Sequence, residues 1–415
     1  FITITNCSFD NKSGIWKNES DIKKKINKPT VLENVFLENS SLSSEKTVSK
    51  QSIILINKKN KNKNWTQNYF NLGNNVSNIH FKDLDQNSFK SGKLSKFKLL
   101  SNINSLKTNN PIFINDKLIY FDHKGTIFIY SLSLKEKVFK YNFYKKKYKN
   151  LEKKIYLALF DDIIYASDNF GYLYALDINN KKILWAKNFG IPFRSNIKIF
   201  NNEIILANQD NIIYSINKDN GDKNWQFATN LQFLKSSFIN NIAIDVINNN
   251  ILFLNTSGEL YSINTSNNKI NWMNNFKSPS MNEDTQIFLS SPVIIDKETI
   301  FINSNSYVQA IDAITGVKKW TINISSQIKP TISGNSIFLV TSDKFLTCLD
   351  LYSGDIYWSR KIDNLSNDKK NKKIIRRAGE IFNLTLVENK IFLFTTKGFL
   401  FKIDYKNINL LSLKK

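Results

Sequence analysis

Two cysteines, Cys7 and Cys348, and two histidines, His80 and His123, make up the chain's whole stock of thiols and imidazoles. Thiolate metal sites need cysteines a few residues apart, and these two are 341 positions apart, so no C-x-x-C site can form. Adjacent carboxylates, which could hold a hard cation or share a proton, occur at Asp161 and Asp162 and at Glu283 and Asp284. The first pair falls in a hairpin turn and the second in a polar connector, where such residues serve the backbone. Arginine is the more telling type. Only Arg194, Arg360, Arg376 and Arg377 occur among 58 basic residues. A guanidinium fork grips a carboxylate or carbonyl pair as an ammonium cannot, so an arginine kept in a lysine-rich chain marks candidate recognition. No catalytic residue, metal site or cofactor is expected from this inventory.

The formal net charge of +23 would by itself point to an anionic partner such as nucleic acid or a membrane surface. The lysines are scattered, however, and heavy use of Lys, Asn, Ile, Phe and Tyr with few Gly, Pro and Ala is the profile of an A+T-rich genome. No nucleic-acid-reading motif is present, and no nucleic-acid partner is expected. No run of eighteen apolar residues suggests a membrane-spanning helix. The stretch FITITNCSFDNKSG reads as the tail of an apolar segment ending at a cysteine, the form of a lipoprotein signal. Lipidation of Cys7 is the expectation, with residues 1–7 a signal remnant and the polar, aperiodic residues 8–47 a flexible tether.

What positions all of these residues is a repeat. In GYLYALDINNKKILW, residues 171–185, Asp177 follows the glycine by six places and Trp185 follows Asp177 by eight. The Asp177 register returns at Asn57, Ser131, Asn217, Asn264, Asp312, Asp350 and Asp404. Eight places later stand Trp65, Phe139, Trp185, Trp225, Trp272, Trp320, Trp358 and Ser412. Copies 38 to 74 residues apart suit four-stranded propeller blades. The Asx or Ser side chain can accept from the N–H two residues on and close a turn. Gly221, Gly316, Gly354 or Asn268 then supplies a left-handed residue, and Lys135 and Lys181 in that place would each cost about 1 kcal/mol. The tryptophan is expected in a third strand, covering the seam to the next sheet. Upstream hairpins such as KIYLALFDDIIYAS and SNIKIFNNEIILAN complete each unit.

Eight such units predict an all-β chain: one eight-bladed β-propeller of four-stranded blades over residues 48–415, closed without a long free edge. Because Ser412 replaces the tryptophan in the last copy, residues 48–57 are expected to complete that blade. Cys348 holds the place of Ala175, Ser215, Ser262 and Ala310, so it reads as a small packed residue.

The pattern G-x-L-Y-A-L-D-x-x-x-G-x-x-x-W, clearest in GYLYALDINNKKILW and SYVQAIDAITGVKKW, resembles the repeat of pyrroloquinoline-quinone (PQQ) type propellers. Two branches share that resemblance. Quinoprotein dehydrogenases imply a vicinal cysteine pair and calcium-binding carboxylates in a funnel. The chain is also similar to the BamB family, the lipoprotein subunits of the outer-membrane β-barrel assembly machine. That similarity lies in size, blade number, a single N-terminal cysteine before a tether, and an early element like WTQNYFNLGNNVSNIH, where Trp65, Gln67, Gly73, Asn74 and His80 correspond. His80 then reads as a loop hydrogen-bonding residue.

This second resemblance implies a non-enzymatic periplasmic scaffold, lipid-anchored at the outer membrane. It would dock on the periplasmic repeats of the BamA-like barrel-inserting subunit and aid insertion of unfolded outer-membrane proteins, which become second partners. The family's contact loop falls on FGIPFRSN, carrying the partner-binding role to Ile191, Phe193 and Arg194. A second, acidic family element aligns near Ile239 and Asn241, which are not acidic. A PQQ-dependent dehydrogenase, or a propeller that binds another envelope protein, are the alternative readings.

Overall fold

Why the repeat folds as it does is visible in the burial of its strands. In residues 155–188 the first three strands, Ile155–Phe160, Ile163–Asp168 and Tyr172–Asp177, are buried almost throughout, whereas Lys182–Asn188 alternates exposed and half-buried positions. Strands packed on both faces read as continuous apolar runs, and an outer strand covered on one face alternates. Seven such antiparallel four-stranded meanders occupy residues 112–142, 155–188, 198–228, 241–275, 294–322, 331–361 and 381–414, here blades 1 to 7. Each has its first strand innermost, and together they form a β-propeller.

The computed structural model describes residues 7–9, 16–18, 44–47, 53–61, 64–81, 111–122, 124–144, 148, 151–231, 238–277, 287–304, 307–326 and 328–415. The chain divides into units Phe1–Ser40 and Ser41–Lys415. In the first, strand Cys7–Phe9 pairs antiparallel with Trp16–Asn18. In the second, residues 44–47 fall within the tether read from sequence, yet Lys46 exchanges both backbone hydrogen bonds with Ser359 on the outer edge of blade 6.

The turn chemistry follows the repeat closely. The Oδ1 of Asp177, Asn217, Asn264, Asp312, Asp350 and Asp404 accepts from the N–H two residues on at 2.8–3.1 Å. Four residues after the Asx or Ser position φ is positive in every blade, including at Lys135, Lys181 and Ile408. In all seven blades the pairing of third and fourth strands carries a register shift just before the repeat aromatic or its substitute. Such a bulge re-aims the next side chain. It sets Trp185, Trp225, Trp272, Trp320 and Trp358 opposite Ala175, Ser215, Ser262, Ala310 and Cys348. An indole needs a small cross-strand neighbour, which is why Cys348 is fully buried beneath Trp358.

The tryptophans lie in the fourth, outermost strand, not the third, and reach into the next blade. Trp185, Trp272 and Trp320 donate from Nε1 to the carbonyls of Lys218, Ala313 and Leu351, each the residue after the next blade's Asx position, at 3.1–3.2 Å. The same three indoles lie over Gly221, Gly316 and Gly354, where a Cβ would approach ring carbons to 2.6 Å. Trp225 and Trp358 face turns that carry Asn268 and Ile408 in that place, and their Nε1–H groups are buried without a partner. The left-handed glycine thus serves two ends: it relieves backbone strain and lets the indole settle close enough to bond.

Two expectations are corrected here. The copy at Asn57 and Trp65 is no blade hairpin: Leu55 N and Asn57 N donate to Asn335 and Ser333 of blade 6, while Trp65 pairs with Phe113. Blade 7 draws all four strands from residues 381–414, and residues 53–57 do not complete it; residues 48–52 lie outside the described residues. Seven four-stranded sheets are present among the described residues, where eight blades are expected from the repeat.

Replacing Asn268 by Gly should let Trp225 approach the Thr265 carbonyl and stabilise the chain by about 1 kcal/mol in chemical denaturation. Gly354→Ala should destabilise it by at least about 1 kcal/mol. A stabilising Gly354→Ala or a neutral Asn268→Gly would contradict the seam geometry.

Candidate functional site

The segment 65–79 is read from sequence as an early tryptophan element, and the structure gives it a place no repeat could. It passes the innermost strands one after another. Trp65 exchanges backbone bonds with Phe113 of blade 1, and Thr66 O accepts from Leu159 of blade 2 at 2.7 Å. The Lys198 Nζ of blade 3 donates to Asn71 O at 2.6 Å and to Asn68 O at 3.3 Å. Leu72 O accepts from Ile244 of blade 4, and Gly73 O from Ile295 of blade 5. A Cβ at Gly73 would stand 2.8 Å from the Ile295 carbonyl, so only glycine fits. Asn75 bonds both ways with the Ile332 backbone of blade 6, and Ile79 N donates to Leu386 O of blade 7. We call this segment the axial strap.

Asparagine does much of the joining because its amide both donates and accepts. Asn74 Nδ2 donates to Ile242 O and Val293 O, bridging blades 4 and 5. Asn78 Nδ2 donates to Asn389 Oδ1 at 2.7 Å, and Asn389 N returns a bond to Asn78 Oδ1. At the strap's end His80 Nδ1 and Lys59 Nζ both contact Glu388, and their company holds that carboxyl below its usual range. His80 accordingly bonds within a loop junction.

Lys198 is fully buried, and burial together with the nearby Lys329 ammonium draws its value well below normal. Burial pushes Lys329 down to about 8. Lys329 lines a cleft of about 1460 Å³ beside Trp65, Tyr69, Phe113, Ile328 and Phe382. Among the described residues no cluster of three His, Cys, Asp or Glu could hold a metal ion.

The residues carried over for partner binding lie in the connector between blades 2 and 3. Gly171, at φ +85°, makes room for Ile191, whose backbone would meet a Cβ there at 2.9–3.1 Å. Ile191 is half-buried. Phe193 is 1% exposed and packs edge-on against Phe189 and Tyr214, at 5.4 and 6.1 Å between ring centroids. Its ring is core of the blade seam and offers a partner no surface, contrary to an anchor role. The Arg194 Nη2 donates to Phe238 O at 3.1 Å, and burial lowers its guanidinium value while the Tyr156 phenol opposes that. Arg194 therefore ties the connectors on either side of blade 3 together. Ile239 is half-buried and Asn241 buried, the latter donating to Ile239 O. Arg360 is likewise tied down, to Asn364 O and Glu45. Of Cys7 only its strand placement is described, and His123, Glu283 and Asp284 lie outside the described residues.

The pattern of the family described as outer membrane protein assembly factor BamB matches residues 105–360, more than half of the chain. Among solved structures the chain is similar to BamB from Moraxella catarrhalis, at 15% identity over 73% of this chain and 86% of that one, with a TM-score of 0.59. A europium-containing methanol dehydrogenase aligns at 9% identity over 85% of each chain, TM-score 0.56. The computationally designed Ika8 protein aligns at 11% over 73% and 85%, TM-score 0.52. No curated protein matches significantly.

Because the folded values of Lys198 and Lys329 are depressed, the unfolded chain holds protons that the folded one lacks between about pH 8 and 10.5. Stability therefore rises with pH through that window. The buried phenols of Tyr156 and Tyr307, raised to about 12 from 10.0, act oppositely once unfolded tyrosine begins to ionise. The denaturation midpoint should climb from about pH 8 to about pH 10 and fall beyond, and Lys329→Met should flatten the climb. A midpoint that falls steadily from pH 8 would contradict the buried lysines.

Proposed function

The chain belongs to the family of outer membrane protein assembly factor BamB, and on that premise we propose that it is a non-enzymatic scaffold of outer-membrane protein assembly. It docks on the periplasmic repeats of a BamA-like barrel-inserting subunit and aids insertion of unfolded outer-membrane proteins. Lipidation at Cys7 holds it at the periplasmic face of the outer membrane, and its ring closes with eight blades, the eighth outside the described residues.

One observation carries this reading. Each inner strand spends hydrogen bonds on the strap, which ties all seven together through the chain's own backbone and asparagine amides. A propeller so threaded works through its rims. In a four-stranded meander the second-to-third turns share a face with the connectors between blades, and the connector carrying Ile191 and Arg194 lies on that face. The bond to Phe238 O fixes the plane of the half-buried Arg194 guanidinium, and Phe193 supports the loop from beneath. A preset fork beside a half-exposed apolar side chain suits capture of a partner's backbone or carboxylate.

A quinone-dependent dehydrogenase is the second reading, favoured by the likeness in fold to a methanol dehydrogenase and by the cleft beside Lys329. Incubation with the quinone and calcium, followed by spectra and dye reduction, separates the two.

The test is the affinity of the chain for the periplasmic repeats of its cognate barrel-inserting subunit. Ile191→Ala and Arg194→Lys should each weaken binding about tenfold, or roughly 1.4 kcal/mol, with little loss of stability. Phe193→Ala should instead destabilise the fold by about 3–5 kcal/mol. No binding by the parent chain, or dye reduction by the quinone-loaded chain, would overturn the scaffold reading.

A further inference from the structure

Between blades 6 and 7 the connector forms the helix α1, Lys369–Arg377, of sequence KKNKKIIRR. Six of its nine residues are cationic and none is acidic. Lys369, Lys370, Lys373, Arg376 and Arg377 are exposed and Lys372 is half-buried. None of the six is within ion-pair distance of a carboxylate among the described residues, although lysines elsewhere pair with acids, as Lys187 does with Asp222 and Lys390 with Asp404. Like charges recur four places apart along α1, at 369 and 373, 372 and 376, and 373 and 377, which disfavours an isolated helix. Nine residues are also too few to be helical alone in water.

The fold supplies what the helix lacks. Asp368 caps it, accepting from Lys370 N at 3.3 Å and Asn371 N at 3.0 Å. Ile375 and Ala378 pin its apolar side into the cluster that holds Trp358, Leu365 and Leu384. Arg376 and Arg377 complement the helix C-terminus, though only at its last turn. The outcome is a rigid amphipathic helix, its apolar stripe consumed by the ring and its cations turned outward without counter-charge.

Compositional drift accounts for scattered lysines but not for this arrangement. Two of the chain's four arginines stand side by side here. The second-to-third turn of blade 7 adds exposed Lys397 on the same face, next to Gly379 at the end of α1. Phe382, 49% exposed, lines a cleft together with Arg376. Forked and ammonium cations on one helix, beside an exposed aromatic ring, match the chemistry of a phospholipid headgroup layer: phosphates for the cations and the acyl boundary for the ring.

We propose that α1 and its rim, with Lys397 and Phe382, form a docking surface for an anionic phospholipid membrane. The surface stands on charge and packing alone and does not depend on the protein-docking loop. Its place on the connector face would present both surfaces from the same side of the ring.

The test uses the full chain without any attached lipid and vesicles of phosphatidylcholine with or without about 30% phosphatidylglycerol. Sedimentation should show binding to the anionic vesicles only. Replacing Lys372, Lys373, Arg376 and Arg377 together by Gln should weaken it about tenfold or more, against about threefold or less for Lys181, Lys223, Lys269 and Lys318 replaced by Gln. Lys372→Arg with Lys373→Arg should keep full binding, which separates charge from any unfolding of α1. Equal loss in the two Gln sets would overturn the proposal, as would equal binding to uncharged vesicles. Binding of a short DNA duplex as tight as that of anionic vesicles, with the same dependence on α1, would reassign the surface to another polyanion.

Discussion

The structure hangs on the seating of an indole from one blade on the Asx turn of the next. Four features make it possible, and each is local: a bulge before the tryptophan, a small residue across from it, an Asx-closed turn in the neighbour, and a left-handed glycine four places on. Where all four occur, as between Trp320 and the turn from Asp350 to Gly354, the indole N–H is bonded. Where the glycine is replaced, as at Asn268 and Ile408, the facing N–H is orphaned. Adjacent blades share little backbone pairing, so these side-chain seats and the apolar clusters behind them fix how blade follows blade.

Much of this was legible in the sequence because it repeats. Tryptophan at fixed distance from an Asx position, with a glycine between, announces its turn and seam through residue type alone. The same logic identified Cys348 as packing. It failed where a single pass imitates the repeat: Asn57 and Trp65 keep the spacing of eight by coincidence and belong to different structures, one on the turn of blade 6 and one on the axis. The strap itself left no periodic trace. Its contacts to the blades are made by main chain and by the side chains of Asn74, Asn75 and Asn78, and asparagine is common throughout this chain. A cluster of asparagines around Gly73, in a stretch without alternation, was the available signal.

The connector proposed for docking shows a different limit. Residue type carries over from a family pattern, but whether an aromatic faces partner or core depends on tertiary packing. Phe193 faces inward because Phe189 and Tyr214 complete a pocket around it. Arg194 kept a job that lysine does poorly, yet part of that job is internal, a planar donor spanning to Phe238 O. The charge on α1 could be counted from sequence; that it is anchored, capped and unneutralised could not.

Strap and seams thus divide the structural labour: the strap ties the inner strands together and the seams lock neighbours side by side, while recognition by loops on the connector face is the proposed function. Hydrogen exchange on the native chain, alone and saturated with the periplasmic repeats of the barrel-inserting subunit, tests that division most directly. The amides that pair with the strap, including Leu159, Ile244, Ile295 and Ile79, should be protected as strongly as the blades in both states. New protection on binding should fall on residues 188–196 of the connector face. Strap amides that exchange freely, or new protection confined to the Asx-turn face, would contradict the account.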